Sequence, residues 1–315
     1  MATGPLIASG CLVVLVDRNQ MNNDLEEIAK RLECSNDYLV QRRMVFGSEF
    51  SAYEGGDRYR AVYLDLETTG LSPEIDEIIE IGMVPFTYGK DGTIFSAEEP
   101  FSMLREPSFP ISLEVSKINN ITNEMVKSKK IDPNQVFQFV ENADLIIAHN
   151  ASFDRKFLEK FCPEFMTKPW ACSMTQVNWK EEGFDGNRLS YIASKLGFFY
   201  NAHRAVEDCQ AGIEVLTRVL PRSKERAMSQ LLSNARKVTN RIWAVQAPYD
   251  SKDVLKARGY RWNDGNDERP KAWYVDVDTK DTSTEKRFLE SEIYRRQINL
   301  PVTKITAKDR FSERV

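Results

Sequence analysis

Six residues in this sequence have types and spacings that could do chemistry together. Asp65 and Glu67 stand two apart at the end of an apolar run, in "AVYLDLETTGL" (residues 61–71). Strand side chains alternate between faces, so the two acids share a face while Leu66 takes the other. The "TTG" that follows signals a tight turn and puts the pair at a strand's carboxyl end, where open α/β sheets bind ligands. An exposed strand edge would also tolerate two acids, but apolar flanks argue against it. Converging carboxylates repel and are costly to desolvate, and a hard divalent cation neutralises them most simply. The chain's two histidines each have an aspartate close by. His149 ends "DLIIAHN" with Asp154 in the first turn of the next helix, and His203 precedes a helix that contains Asp208. A lone histidine is more often a capping or core residue; two of two beside acids favour chemistry.

The elements that must position these residues alternate between strand and helix. "AVYLDL", "EIIEIGMVPFTY" and "GTIFSAEEPFSML" read as strands, the last two joined by the turn "GKDG". "ISLEVSKINNITNEMV" suggests two short helices, "NQVFQFVENA" a third, and "DLIIAHN" a buried strand. In "ASFDRKFLEKF", Phe153, Phe157 and Phe161 recur every four residues and mark a core-facing helix. "RLSYIASKLGF" is helical with Gly197 as its stop, and "AVEDCQAGIEVLTRVL" continues the pattern to Pro221. Before residue 55 the chain predicts a strand from Cys11 to Val16 and a helix from Asn23 to Leu32, then the polar, Gly-containing segment "GSEFSAYEGGDRYR". The expected organisation is an N-terminal extension (1–55), an α/β domain (56–221), a basic helical linker (222–240), and a small α+β module with a tail (241–315).

"DLETTGL", "HNASFD" and "HRAVED" occur in the order and relative spacing of the DEDDh 3′–5′ exonucleases, which include the proofreading epsilon subunit of bacterial DNA polymerase III, RNase T and oligoribonuclease. Each motif alone is weak and the three together are specific; the resemblance covers roughly residues 60–221. It implies an RNase H-like mixed sheet flanked by helices, and metal-dependent hydrolysis of DNA from a free 3′ end with release of mononucleotides. Two Mg²⁺ ions, for which Mn²⁺ substitutes, are the implied cofactors. By the same resemblance Asp65, Glu67 and Asp208 hold the ion that activates water, Asp65 bridges to a second ion, and Asp154 completes that second site. His203 is the implied general base, because an imidazole titrates near neutrality. Thr68, Thr69, Gly70 and Leu71 are implied contacts of the terminal nucleotide, with Phe153 packing on bases and His149 and Asn150 shaping the site. The sequence departs from the family at Asn119–Asn120, where His-Gly commonly precedes "IT". Asn tolerates left-handed backbone, so the turn is expected to survive.

Bulk properties narrow the setting. With 42% hydrophobic and 29% charged residues and a net charge of −4, the 315-residue chain reads as soluble and cytoplasmic, and does not suit a protein that coats nucleic acid nonspecifically. The five scattered cysteines suit reduced thiols, and no stretch approaches a membrane span. The basic run from Arg218 to Arg241 is either a solvated face or a phosphate-tracking surface. In the C-terminal module Tyr260, Trp262, Trp273 and Tyr274 interleave with Lys and Arg, a pattern that suits base stacking or a small core, so this module is a candidate contact for nucleic acid or a protein partner. The resemblance is compatible with a homodimer, for which the sequence identifies no interface. Two alternatives stand beside the DNA exonuclease reading: an exoribonuclease or oligonucleotide phosphodiesterase, including one for signalling nucleotides, and a noncatalytic nucleic-acid-binding module that retains the fold.

Overall fold

The computed structural model describes residues 18–266 and 269–315, so the strand expected at Cys11–Val16 lies outside the described residues. The chain divides into two units, Met1–Arg42 and Arg43–Val315. The first contains helix α1 (Arg18–Glu33), on which Leu25 and Ile28 are exposed. Arg42 closes this unit on the helix by pairing with Glu26 at 2.8 Å and with Glu33 at 2.5 Å.

The second unit is built on a six-stranded mixed sheet. Its strands are β1 (Tyr59–Thr68), β2 (Ile78–Tyr88), β3 (Ile94–Ala97), β4 (Phe101–Leu104), β5 (Leu145–Ala148) and β6 (Trp170–Cys172). The order is β3-β2-β1-β5-β6, with β4 also paired to β2. β1 runs antiparallel to β2 and parallel to β5, and β5 runs parallel to β6. The carboxyl ends of β1, β5 and β6 therefore share one edge of the sheet.

Residue parity along β1 assigns each face a layer. Ala61 and Tyr63 join one core, with helices α6 (Leu189–Lys195), α7 (Ala205–Thr217) and α8 (Ala227–Arg236). Val62, Leu64 and Leu66 join the other, with helices α4 (Pro133–Val140) and α5 (Ala151–Phe161). Ahead of these, the two short helices read from sequence are α2 (Leu113–Asn119) and α3 (Asn123–Val126), capped by Ser112 and Thr122. Two glycines let α7 lie hard against the sheet. A Cβ on Gly82 would stand 2.5 Å from the Ala205 carbonyl carbon, and one on Gly212 would stand 2.1 Å from the Tyr63 ring. The close approach fixes where α7 starts, and Asp208 sits in its first turn.

Two stretches read from sequence as extension or linker pack on this unit. Before β1, Met44 and Phe46 of the extension and Phe50 of the Gly- and Ser-containing segment pack on the α7-side core. Phe50 N–H donates to the Phe95 carbonyl at 2.8 Å, and Ala97 N–H to Ser48 at 2.8 Å, so the segment flanks edge strand β3. Helix α8 buries Ala227, Met228, Leu231, Leu232 and Ala235, so the segment 222–240 contributes to the core as well.

Beyond α8, a four-stranded antiparallel sheet combines β7 (Thr239–Val245), β8 (Arg261–Asn263), β9 (Ala272–Asp278) and β10 (Val302–Ile305), in the order β8-β9-β7-β10. Helices α9 (Lys252–Ala257) and α10 (Thr282–Phe288) accompany it, over a core that includes Ile242, Ala244, Leu255 and Leu289. The last ten residues return to helix α5. Arg155, fully buried, pairs with Glu159 at 2.6 Å and donates to the carbonyls of Lys308 at 2.6 Å and Arg310 at 2.7 Å. Glu159 in turn holds Arg314 at 2.8 Å, and Trp170 N–H on β6 donates to the Ala307 carbonyl at 2.8 Å.

Candidate active site

Asp65 and Glu67 project from β1 on the α7 side, and Asp208 meets them from the first turn of α7. One carboxylate oxygen from each of the three lies within 4.8 Å of the others. Asp154 comes from the first turn of α5, on the other layer. It is buried, and its Oδ1 accepts the Leu66 amide at 3.2 Å, so it stands at β1 between the two acids. The four carboxylates expected from sequence thus gather at the shared carboxyl edge.

The electrostatics of this gathering are adverse without a cation. Burial, reinforced by Asp208, Asp154 and Glu67, holds the Asp65 carboxyl well above the usual carboxylate range. Burial and Asp208 push Glu67 up to about 7. Burial raises Asp154 and Asp208 too, against hydrogen bonds that favour their charged forms. Asp208 Oδ2 accepts the backbone amides of His203 at 2.7 Å and Arg204 at 3.1 Å, and Oδ1 accepts the Tyr200 hydroxyl at 2.7 Å. Arg204, in the same loop, pairs with Glu80 at 2.9 Å. Hard oxygen donors converging in a partly buried site fit a divalent cation.

The two histidines have different fates. His203 is exposed in the loop before α7, with a left-handed backbone (φ 68°) and its amide held by Asp208. His149 has both ring nitrogens engaged, Nδ1 with Ser173 Oγ at 2.9 Å and Nε2 with the Asn187 carbonyl at 2.7 Å. Burial lowers its pKa to about 4. A neutral imidazole with both nitrogens occupied is a structural strut.

The remaining sequence candidates divide between contact surface and scaffold. Leu71 is 84% exposed, and together with Asn150 and Phe153 it lines a small cavity of about 240 Å³ beside the carboxylates' helix α5. Asn150 opens that helix in left-handed backbone (φ 77°). The Thr68 hydroxyl donates to the Gly70 carbonyl, and the Thr69 hydroxyl binds Asp76 and accepts the Glu77 amide, so both hydroxyls shape the loop. Gly70 has no room for a side chain, because a Cβ would stand 2.5 Å from the Asp76 carboxylate.

Four residues around the site escaped the sequence reading of site roles. Glu80 faces Glu67 across the β1–β2 register, is almost fully buried, and adds to the repulsion at Asp65. Arg204 balances it, and Tyr200 orients Asp208. Asn119 hydrogen-bonds the Glu67 carboxylate, while its Oδ1 accepts the Ile121 amide at 3.0 Å. Its neighbour Asn120 adopts φ 57°, the left-handed turn expected of this Asn-Asn pair. An acid inside the apolar run "EIIEIG" was the available signal for Glu80. For Asn119 the departure from His-Gly was the signal.

For the C-terminal part the sequence left alternatives open. Arg222, Lys224 and Arg226 of the basic run are exposed, while several of its cations have partners within the chain. Arg218 pairs with Glu214, Arg222 donates to the Glu181 carbonyl, Arg236 donates to the Lys90 carbonyl, and Arg241 is buried against Asp276. Of the four aromatics, Tyr260 is core, with its hydroxyl on Glu285, and Tyr274 is flanked by Arg241 and Arg261. Trp262 is half exposed and packs edge-on against Trp273.

An α/β layered fold that gathers four acids at its strands' carboxyl edge suits a divalent cation. Comparisons with known proteins give the class. The exonuclease family model matches residues 62–216. The DNA polymerase III subunit epsilon of Treponema pallidum (strain Nichols) is 34% identical over 165 residues, which span 50% of this chain and 74% of that protein. The PolC-type DNA polymerase III of Thermotoga petrophila is 33% identical over 181 residues, 54% of this chain but only 12% of that much longer protein. A solved structure of exonuclease X in complex with 5′-overhanging duplex DNA has 25% sequence identity and a TM-score of 0.38, covering 54% of this chain and 99% of that one. The chain belongs to the exonuclease family. No helix among the described residues is long and apolar enough to cross a membrane.

Proposed function

We propose that this chain is a 3′–5′ exonuclease that hydrolyses the terminal phosphodiester of single-stranded DNA and releases mononucleotides. The observation that carries this reading is the convergence of Asp65, Glu67 and Asp208 within 4.8 Å, with Asp154 at the same strand. In this reading Asp65, Glu67 and Asp208 hold one divalent ion and Asp65 and Asp154 a second, with Mg²⁺ the expected metal and Mn²⁺ its substitute. Bound there, the ions supply charge stabilisation to the attacked phosphate and its leaving oxygen.

The chain's own residues do the rest. His203 accepts a proton from the water that attacks phosphorus, and its exposed loop position leaves the imidazole free to reach the bond. The bond to the 3′ oxygen of the penultimate nucleotide breaks, and that oxygen takes a proton from solvent. Leu71 and Phe153 pack against the terminal base at the small cavity they share. The partly buried Thr69–Asp76 network keeps the loop at Gly70 in place for that contact.

The test is a digest by the purified full chain of 5′-labelled DNA, RNA and short oligonucleotides, with Mg²⁺, with Mn²⁺ and with chelator. The expected result is metal-dependent shortening from the 3′ end, fastest on single-stranded DNA. Shortening from the 5′ end, or undiminished activity in chelator, overturns the reading; faster RNA or dinucleotide cleavage transfers it to the ribonuclease alternative.

A further inference from the structure

A cavity of about 760 Å³ opens along the loop that follows strand β6, and no role described so far uses it. Its position is set by the sheet. β1, β5 and β6 are parallel neighbours, so the acids at the end of β1, His149 after β5 and Ser173 after β6 follow one another along a single edge. His149 ties the end of β5 to that of β6 through Ser173 and reaches the cavity wall at Asn187. Two strand spacings at about 4.8 Å put the end of β6 roughly 10 Å from that of β1, the length of about three stacked nucleotides at about 3.4 Å each.

The chemistry of the wall suits a strand of nucleic acid. Asn178 and Asn187 line the cavity with Lys180 and Arg222, beside the acids Glu181 and Asp185. Glu181 is engaged by the Asn178 side chain at 3.1 Å, and Arg222 by the Glu181 carbonyl at 3.0 Å. Lys180 and Arg188, the residue after Asn187, are exposed, and their side chains have no hydrogen bond or ion pair among the described residues. Lys180 thus lines the cavity as an unengaged cation and Arg188 follows its wall residue Asn187, with the acids Glu181 and Asp185 on the same loop, which starts at the active-site edge.

We infer that the strand upstream of the scissile linkage runs along the carboxyl edge of the sheet, over His149, and into this cavity, where Lys180 and Arg188 meet its phosphates and Asn178 and Asn187 the polar edges of its bases. The inference rests on the exonuclease reading and adds a site to it. It makes the loop between β6 and α6 a length sensor: substrates too short to leave the carboxylates never reach it.

The experiment compares a 5′-labelled hexanucleotide with a dinucleotide on the wild-type chain and on the double variant Lys180→Glu/Arg188→Glu. Both positions are exposed, so the fold tolerates the change. The expected result is a rise of about tenfold in KM for the hexanucleotide, with the dinucleotide KM moving less than about twofold and kcat held on both. The dependence of log KM on log salt for the hexanucleotide should flatten by about 1.4, two phosphate contacts at about 0.7 each. A merely structural role would not move that slope. An unchanged hexanucleotide KM, or equal losses on both substrates, overturns the inference. If the wild-type chain cleaves neither substrate, the exonuclease reading itself has failed, a result distinct from a defect confined to the longer one.

Discussion

Asp65 is where the cost of this site concentrates. Its carboxyl is raised by burial and by four neighbouring acids, so in the metal-free protein its charge opposes folding. A folded-state pKa above the unfolded value contributes stability that is complete at low pH and is lost as pH rises through the raised value. Asp65→Asn removes that charge while keeping the shape. We expect it to raise the metal-free melting temperature at pH 8 and to abolish 3′-end cleavage, with melting curves in chelator and a digest as paired measurements. His203→Ala tests the proposed base: kcat should fall by about 10²- to 10⁴-fold with the fold intact by circular dichroism, whereas loss of a loop contact alone would cost far less. His149 gives a prediction of opposite sign. Burial lowers its pKa from 6.5 to about 4, so its contribution is fully present above pH 6.5 and is lost as pH falls toward 4. The loss should reach about 3 kcal/mol in denaturant titrations, and it should shrink in His149→Gln.

At the scale of elements, the helices that carry Asp208 and Asp154 are held by unlike means. Helix α7 is placed by the absence of a side chain at Gly82, so Gly82→Ala pushes its first turn off the strand. Activity should drop with Asp208 misplaced, and metal binding measured by calorimetry without substrate should weaken in step. Helix α5 is held by a buried guanidinium. Removing a partner from a buried pair costs about 3–5 kcal/mol, whereas a surface pair contributes under about 1 kcal/mol. Glu159→Ala should therefore destabilise several times more than Glu313→Ala, whose pair with Lys156 is 3.3 Å long and exposed. The legibility of these elements from sequence follows the same division. Parity along "AVYLDLE" foretold which face Asp65 and Glu67 occupy, and the apolar periodicities foretold β5, α5 and α7. The partners of Glu80 and Asn119 depend on strand register and on a turn between two short helices that meets Glu67 from far along the chain, which local patterns do not encode. The docked segment at Phe50 and the tail at Ala307 attach in part through backbone hydrogen bonds, which any residue type can make, and their side-chain partners lie far away in sequence, beyond the reach of local patterns.

Over the whole molecule, the exonuclease family match ends at residue 216, yet the second unit continues to Val315. Helix α8, the four-stranded sheet and the tail belong to that unit, and the tail reaches the helix that carries Asp154. Ligand linkage gives a global readout of the site. Mn²⁺ at 100 times its dissociation constant should stabilise the native protein by about 2.7 kcal/mol per site, and the share from the site that Asp208 completes should vanish in Asp208→Asn. Such a shift requires no knowledge of the substrate.

Strand β6 lies at the end of the sheet order, and an open strand edge is a template for pairing with another chain. Trp170, at its start, is spared that role because its amide is already spent on the Ala307 carbonyl. The returning tail therefore acts as a guard against self-association as well as a brace. Deleting residues 306–315 should leave a protein that sediments as larger species with rising concentration, built by edge-to-edge growth at β6.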